Sequence, residues 1–246
     1  MQLIRPDWPA PPQVRACSTT RAGGLSEGPF HSLNLGDHVG DDPERVALNR
    51  ARLRDRLDLP AEPLWLRQVH GCEVARASEA VAGCAADAAV ARGPGQVCAV
   101  MTADCLPVLL CELGGRAVAA VHAGWRGLAA GVVEEAVAAL GTGPDQVLAW
   151  LGPAIGPDAF EVGPEVRDRF LVSDRGASVA FRPASGDRWL ADLYTLARRR
   201  LEAVGVRAVF GGGYCTYSQP DRFFSYRRDG STGRMASLIW LDPATR

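Results

Sequence analysis

Three side chains able to bind a metal or to act as nucleophile and base lie at the ends of apolar, strand-like segments. The imidazoles are His70 in LWLRQVH and His122 in RAVAAVH, and the thiol is Cys105, directly after MTAD. Zinc accepts imidazole nitrogen together with thiolate, and three protein ligands leave one position for water or substrate. These residue types therefore suit a catalytic metal site at His70, Cys105 and His122.

The spacing of the same residues leaves a second chemistry open. Separations of 35 residues (70 to 105) and 17 residues (105 to 122) match no compact zinc-finger pattern. A cysteine beside a histidine can also form a nucleophilic pair, in which Cys105 attacks and His122 acts as the general base. Cysteine is also often buried without any function, so the residue types alone do not decide between these interpretations.

The segments around these residues predict the strands that would position them. LWLRQVH reads as a short strand that ends on His70, and QVCAVMT, LPVLLCE and RAVAAVH follow as three further strands. These three are almost continuously apolar, as a sheet covered on both faces requires. Other predicted strands are VRACSTT, QVLAWLG, VRAVFGG and MASLIWL.

Helical patterns alternate with these strands. One helix begins at Pro43 with Asp41 or Asp42 as its cap, and others are predicted at residues 125–140, in GPEVRDRF and at residues 192–204. The mixture predicts an α/β (α+β mixed) fold, with mixed β-sheet layers covered by helices. With no linker or internal repeat, we expect residues 1–246 to form a single domain.

Composition and charge exclude several classes of protein. Of the 246 residues, 47% are hydrophobic and 22% are charged, which is typical of a soluble globular protein. The net charge of -1 gives no electrostatic footprint for nucleic acid or an acidic membrane. No apolar run approaches the roughly 20 residues that cross a bilayer. We therefore expect neither a nucleic-acid partner nor a membrane partner, and the oligomeric state stays open.

Lysine and cysteine usage add two constraints. The sequence contains no lysine, so Schiff-base and lysine-base mechanisms are excluded. The beginning of the sequence, MQLIRPDWPAPPQV, does not have the pattern of an export signal. The seven cysteines are scattered without tight pairing, which favours reduced thiols and a cytoplasmic location.

Six longer blocks carry a resemblance to a known family. They are STTRAGGLSEGPFHSLNLGDHVGDDPERVALNR, LRQVHG, MTADCLPVLL, AVHAGWRG, LGPAIGPDAFEVGPEV and CTYSQPDRFFSYRRDGSTGRMASLIWL. Together, from Cys17 to Leu241, they resemble the laccase-domain (YfiH-type) family. Its bacterial members were formerly described as polyphenol oxidases and are now regarded as purine nucleoside phosphorylases with broader purine activity.

The resemblance implies both a site and a reaction. His70, Cys105 and His122 match the family's zinc ligands at all three positions. The implied fold is YfiH-like, and the implied substrates are inorganic phosphate with adenosine, inosine or methylthioadenosine. Adenosine deamination at the same site is also implied, because a bound metal can activate water.

Phosphorolysis needs groups that hold an anion and a sugar, and three residues are predicted to contact substrate. Arg21 in TTRAGG lies beside glycines that let the backbone approach a phosphate, and Arg126 in HAGWRG begins a helix. Asn34 in SLNLG could bond to ribose hydroxyls or to the base, although such an asparagine more often stabilises its own turn. The alternative for Arg126 is that it is a solvated surface residue with no contact to substrate.

Asp104 has three open roles. As the neighbour of Cys105 it could be a general base, a partner that orients a ligand, or a structural group bonded to backbone.

Copper-dependent oxidation and hydrolytic editing are the two alternatives to the phosphorylase. A multicopper oxidase needs on the order of eight histidines, and the chain has four, which excludes that mechanism for one chain. A single Cu²⁺ in place of Zn²⁺ remains compatible with the His-Cys-His set. The family is also linked to hydrolytic editing of peptidoglycan precursors. That reaction would use Cys105 and His122 as a nucleophilic pair, or a metal-activated water.

Overall fold

A computed structural model describes residues 1–242 of the chain, and within them strands and helices are intermixed. The strands are β1 (Leu3–Ile4), β2 (Val14–Thr19), β3 (Val74–Arg76), β4 (Ala88–Ala91), β5 (Val97–Thr102), β6 (Leu106–Glu112), β7 (Val118–Ala123), β8 (Val147–Leu151), β9 (Glu161–Val162), β10 (Phe181–Pro183), β11 (Trp189–Ala191), β12 (Ala208–Gly211) and β13 (Met235–Leu241). The helices are α1 (Pro43–Leu57), α2 (Trp125–Ala130), α3 (Val132–Ala139), α4 (Pro164–Ser173), α5 (Leu193–Ala203) and α6 (Tyr226–Asp229).

The strands form three sheets. A four-stranded sheet has the order β1-β2-β13-β5, and a six-stranded sheet has the order β12-β8-β6-β7-β4-β3. The six-stranded sheet is mixed, because β12 pairs with β8 and β3 with β4 in parallel while its other pairs are antiparallel. A small third sheet has the order β10-β11-β9.

The period-two alternation of side chains sorts the core into layers. In β6, Val108 and Leu110 face a cluster that includes α2, α3 and α5, whereas Leu109 and Cys111 face the four-stranded sheet. The other face of the four-stranded sheet packs on α1 through Leu53. The order of layers is therefore helices, six-stranded sheet, four-stranded sheet and α1, which confirms the mixed α/β prediction.

The chain crosses between the two large sheets at the functional motif. β5 belongs to the four-stranded sheet and β6 to the six-stranded one. Only Ala103, Asp104 and Cys105 separate the two strands. Asp104 has a φ of 99°, a left-handed backbone that turns the chain sharply at this crossing.

Two predicted elements differ from the structure. LWLRQVH is not a strand, since it makes only isolated bridges, from Leu64 to Cys98 and from Arg67 to Ala85. The predicted helix at residues 125–140 is two helices, because Gly131 has a φ of 108° and ends α2 before α3 begins. The helix at Pro43 is confirmed, with Asp42 accepting from the Glu44 amide. None of the helices in the described range is long and apolar enough to cross a membrane.

Candidate metal centre

The strand register brings Cys105 beside His122. β6 and β7 are antiparallel, with Leu106 opposite Ala123 and Pro107 opposite His122. Cys105 immediately precedes β6, so its thiol lies at the end of the strand that carries His122. His70 reaches the same place from a loop, where its backbone has a φ of 62°.

The three side chains converge closely enough to share one ion. Their ligand atoms all lie within 4.8 Å of one another, and Cys105 Sγ is 4.0 Å from His70 Nε2. Ligand atoms around a tetrahedral zinc are separated by roughly 3.4–3.8 Å, from bond lengths of about 2.1–2.3 Å. A small inward movement therefore gives a His-Cys-His set that suits zinc and is also compatible with copper.

Asp87 organises this site, and the sequence analysis did not identify it. Its carboxylate is fully buried and accepts backbone hydrogen bonds from Val69, His70 and Gly71 at 3.1, 2.9 and 2.7 Å. His122 Nδ1 lies 2.8 Å from Asp87 Oδ1. That contact fixes the proton on Nδ1 and leaves Nε2 as the ring nitrogen available to a metal.

The signal for Asp87 in the sequence is weak. It precedes the alanine-rich strand β4, which was not predicted, and it stands opposite His122 only because β4 pairs with β7. Without knowing that pairing, nothing in the sequence distinguishes Asp87 from the other aspartates of the chain.

The charges at the site stabilise one another. Burial opposes ionisation of Asp87, yet the hydrogen bonds from His122, Gly71 and Val69 outweigh it and lower the pKa of Asp87. Burial also opposes the charge on His122, but Cys105 and Asp87 raise the pKa of His122 to about 9. The pKa of Cys105 falls to about 6, because His122 and His70 outweigh the effect of burial. The site therefore favours a thiolate, the form that binds metal.

The other cysteines show the opposite behaviour. The buried Cys17, Cys98 and Cys111 each have a pKa raised to about 12, because desolvation disfavours their thiolates. Cys98 and Cys111 lie in β5 and β6 as the core residues that the sequence predicted. All seven cysteines are free thiols.

Gly124 makes room for the cluster. A Cβ at this position would lie 3.0 Å from His70 Cδ2 and 3.1 Å from Cys105 Sγ. Gly124 also caps the start of α2. The first glycine of HAGWRG is therefore explained by close packing against two of the three ligand side chains.

Asp104 adjoins Cys105 in sequence, but its carboxylate bonds elsewhere. Oδ1 accepts from Thr216 Oγ1 at 2.6 Å, and Oδ2 accepts from the Arg227 amide at 2.7 Å. Each oxygen thus already accepts a hydrogen bond from the later part of the chain, which is the geometry expected for a structural or positioning role.

Two of the predicted substrate contacts are engaged in protein hydrogen bonds. Arg21 donates from Nε to the His31 carbonyl and from Nη1 to the Pro220 carbonyl, and stacks on Phe224 at 4.7 Å. Asn34 is fully buried, and its amide bonds to Gly36, Asp41 and Arg234. The amide of Asn34 stabilises its own turn, the alternative role considered for it.

Arg126 is exposed on the first turn of α2, two residues after Gly124. Its guanidinium lies 4.5 Å from the centre of the Trp125 ring.

Comparison with known proteins assigns the family. A family model described as multi-copper polyphenol oxidoreductase laccase matches residues 15–242. The Escherichia coli (strain K12) protein named purine nucleoside phosphorylase YfiH is 58% identical, over 98% of this chain and 99% of its own length. A Pseudomonas aeruginosa purine nucleoside phosphorylase is 57% identical, over 97% of this chain and 98% of its own.

Solved structures agree with the sequence relatives. A Neisseria meningitidis protein has a TM-score of 0.95 at 52% identity, covering 98% of this chain and all 100% of that one. YlmD from Geobacillus stearothermophilus has a TM-score of 0.89 at 31% identity, covering 98% of this chain and 97% of its own. Because sequence and fold agree over almost the whole length, the chain belongs to the laccase-like YfiH family.

Proposed function

We propose that the chain is a zinc-dependent purine nucleoside phosphorylase, acting on adenosine, inosine and methylthioadenosine with inorganic phosphate. The observation that carries the proposal is the convergence of His70, Cys105 and His122, with Asp87 orienting His122. The naming of relatives at 57% and 58% identity as purine nucleoside phosphorylases supports the same reaction. Residues 1–246 are proposed to act as one domain, because the two large sheets share a common core.

The reaction exchanges one bond for another. A phosphate oxygen bonds to C1′ of the ribose while the bond from C1′ to the purine nitrogen breaks. The base leaves with the electron pair and takes up a proton. The products are the free purine and ribose 1-phosphate, or 5-methylthioribose 1-phosphate from methylthioadenosine. A zinc ion at the site supplies Lewis-acid polarisation of a phosphate, purine or water oxygen when it is bound.

The residues of the chain have separate tasks in this proposal. His70, Cys105 and His122 hold the metal, and Asp87 keeps a proton on His122 Nδ1. Asp104 positions the segment of Thr216 and Arg227 against the cysteine. Arg126, on the exposed start of α2, is the predicted substrate contact that the geometry leaves freest.

A single assay tests the reaction. Purified protein is incubated with inosine and phosphate, and hypoxanthine and ribose 1-phosphate are measured, with omission of phosphate as the control. Release of the base only when phosphate is present supports the phosphorylase, and release without phosphate identifies a hydrolase. Ammonia release from adenosine in the same preparation reports whether deamination also occurs.

One observation favours a second candidate, a cysteine-dependent amidase that edits peptidoglycan precursors. The lowered pKa of Cys105, with His122 beside it, is also what a nucleophilic cysteine needs. Removing the metal with a chelator distinguishes the covalent cysteine mechanism from the metal-dependent one. Full turnover in metal-free protein, lost in Cys105→Ser, supports the covalent mechanism, whereas loss with chelator and recovery with zinc supports the metal. Recovery with copper alone would point to the oxidase chemistry suggested by the family description.

A further inference from the structure

Arg234 is a charged side chain beside the metal cluster to which nothing above assigns a task. It immediately precedes Met235, which pairs with Thr102 at the end of β5. Cys105 follows Thr102 by three residues, so the start of β13 lies against the crossing segment that carries the thiol. Burial lowers the pKa of Arg234, and the charges of Cys105 and Asp104 act in the opposite direction, which places all three within electrostatic reach.

The guanidinium of Arg234 retains free donors. Nη1 donates to the carbonyls of Thr232 and Gly233 at 3.0 and 3.1 Å. Within residues 1–242, Nε and Nη2 have no hydrogen-bond partner, and the side chain forms no ion pair with a carboxylate. Nε and Nη2 together form the edge of the guanidinium that binds two oxygens of one anion.

Two nearby arginines, Arg21 and Arg228, lack this free edge. Arg21 uses both Nε and Nη1 on backbone carbonyls. Arg228 pairs with Asp229 and donates to three carbonyls, those of Thr216, Tyr217 and Phe223. Unlike these two, Arg234 keeps its charge unpaired and its Nε and Nη2 donors free among the described residues, and its charge interacts with that of Cys105.

A second observation in the same segment is a buried hydroxyl group, that of Thr232, which lacks a hydrogen-bond partner in the described range. The side chain of Thr232 is 1% exposed, and its buried Oγ1 has no hydrogen-bond partner. Leaving a buried hydroxyl unpaired is costly, so such a group normally meets a ligand or a water molecule. It lies two residues from Arg234, whose Nη1 bonds to the Thr232 carbonyl.

We propose that Arg234 binds the inorganic phosphate co-substrate beside the metal cluster, with Thr232 as an additional donor. The proposal rests on the phosphorylase function above. Adenosine and inosine are uncharged near neutral pH, so phosphate is the anion that this reaction brings to the site. A guanidinium edge holds two phosphate oxygens and fixes their direction, which leaves another oxygen to attack C1′.

The test separates phosphate from nucleoside. KM for phosphate and KM for inosine are measured independently in the zinc-loaded full chain, for the wild type, Arg234→Gln, Arg234→Lys and Thr232→Val. Arg169→Gln is the matched control, since Arg169 is exposed on α4. Calorimetric titration with orthophosphate, and separately with AMP, gives binding constants that do not depend on turnover.

We expect Arg234→Gln to raise both KM and Kd for phosphate by about 10- to 100-fold, the effect of losing a charge-assisted bidentate contact. KM for inosine should change by less than about threefold, because the contact that is lost is to phosphate and not to the nucleoside. Arg234→Lys should fall between wild type and Arg234→Gln, and Thr232→Val should shift phosphate binding in the same direction by less.

Three results would overturn the proposal: phosphate binding by Arg234→Gln equal to that of wild type, equal increases in both KM values, or loss of AMP binding with orthophosphate binding retained. A wild type without phosphorolysis refutes the proposed function instead. The orthophosphate titration still decides the role of Arg234 in that case, since loss of binding in Arg234→Gln supports it and unchanged binding overturns it.

Discussion

Asp87 and Asp104 lie at the same edge of the six-stranded sheet: Asp87 directly precedes β4, and Asp104 is two residues before the start of β6. Both are buried, at 0% and 8% exposure, and both accept hydrogen bonds from backbone amides. They differ in their hydrogen-bond partners. Asp87 bonds to His122 and to the loop of His70, whereas Asp104 bonds to Thr216 and Arg227.

A residue can therefore adjoin a ligand in sequence without bonding to the other ligands, and a residue distant in sequence can bond to two of them. Asp104 adjoins Cys105 but joins the crossing segment to the later part of the chain. Asp87 is 17 residues from His70 and 35 from His122, yet it fixes both. We therefore expect metal binding to depend on Asp87 and the attachment of the Thr216 and Arg227 segment to depend on Asp104.

The largest expected effect is on metal affinity. Asp87→Asn should weaken zinc binding by about 10- to 100-fold, the usual cost of removing a carboxylate that orients a ligating histidine. Competition with a chromophoric chelator measures the change. Asp104→Asn is the matched comparison, and an equal loss in that variant would remove the distinction between the two aspartates.

The ionisation of Cys105 should depend on the same carboxylate. With a folded pKa of about 6 against an ordinary value of 9.0, the thiolate of metal-free protein predominates at neutral pH and is lost as pH falls through about 6. Asp87→Asn should lower the pKa of His122, weaken the imidazolium beside the sulfur, and move the Cys105 midpoint upward by about one unit or more.

Alkylation rate against pH measures that midpoint in chelator-treated protein. Subtracting the rate of Cys105→Ser removes the contribution of the other exposed thiols. The largest influences on the Cys105 pKa are His122 and His70, and Asp104 bonds instead to Thr216 and Arg227, so Asp104→Asn should move the midpoint less than Asp87→Asn. A shift of equal size in both variants contradicts the proposed coupling.

Crowding the cluster should have a smaller effect. Gly124→Ala places a methyl group against His70 and Cys105, and overpacking of about 1 kcal/mol corresponds to roughly fivefold weaker zinc binding. Gly93→Ala is a suitable control, since a Cβ there meets no atom within 4 Å. Unchanged affinity in Gly124→Ala would show that the ligands can move aside freely.

The smallest expected change is a loss of stability with metal affinity preserved. Thr216→Val removes one partner of Asp104 and should lower the free energy of unfolding by about 0.5–1.5 kcal/mol, the net worth of one hydrogen bond. Denaturant unfolding of metal-loaded protein measures it. If Thr216→Val instead weakened zinc binding as strongly as Asp87→Asn, Asp104 would belong to the metal site.

Much of the framework around the site could be predicted from local patterns. The strands around Cys105 and His122 are continuously apolar because both faces of their sheets are covered, and that pattern is visible in the sequence. The cap at Asp42 and the helix after it depend on neighbouring residues alone. The three proposed ligands stand out by their residue types, but it is the family resemblance that assigns them together as a metal-binding set.

The remainder depends on contacts between distant parts of the chain. The segment before His70 has the composition of a strand, but its amides bond to the Asp87 carboxylate instead of to a neighbouring strand. Asp87 and Arg234 acquire their positions from the pairings of β4 with β7 and of β13 with β5. No local pattern reports these pairings.

The crossing of the chain at Ala103, Asp104 and Cys105 would couple metal binding at the proposed site to thermal stability. Cys105 lies where the chain passes from the four-stranded sheet to the six-stranded sheet, and His70 lies in a loop outside both sheets. Metal coordination at these residues would act as a removable cross-link between separate parts of the fold, stabilising the native state by mass action. The melting temperature of a preparation would then report its metal content before any substrate is added.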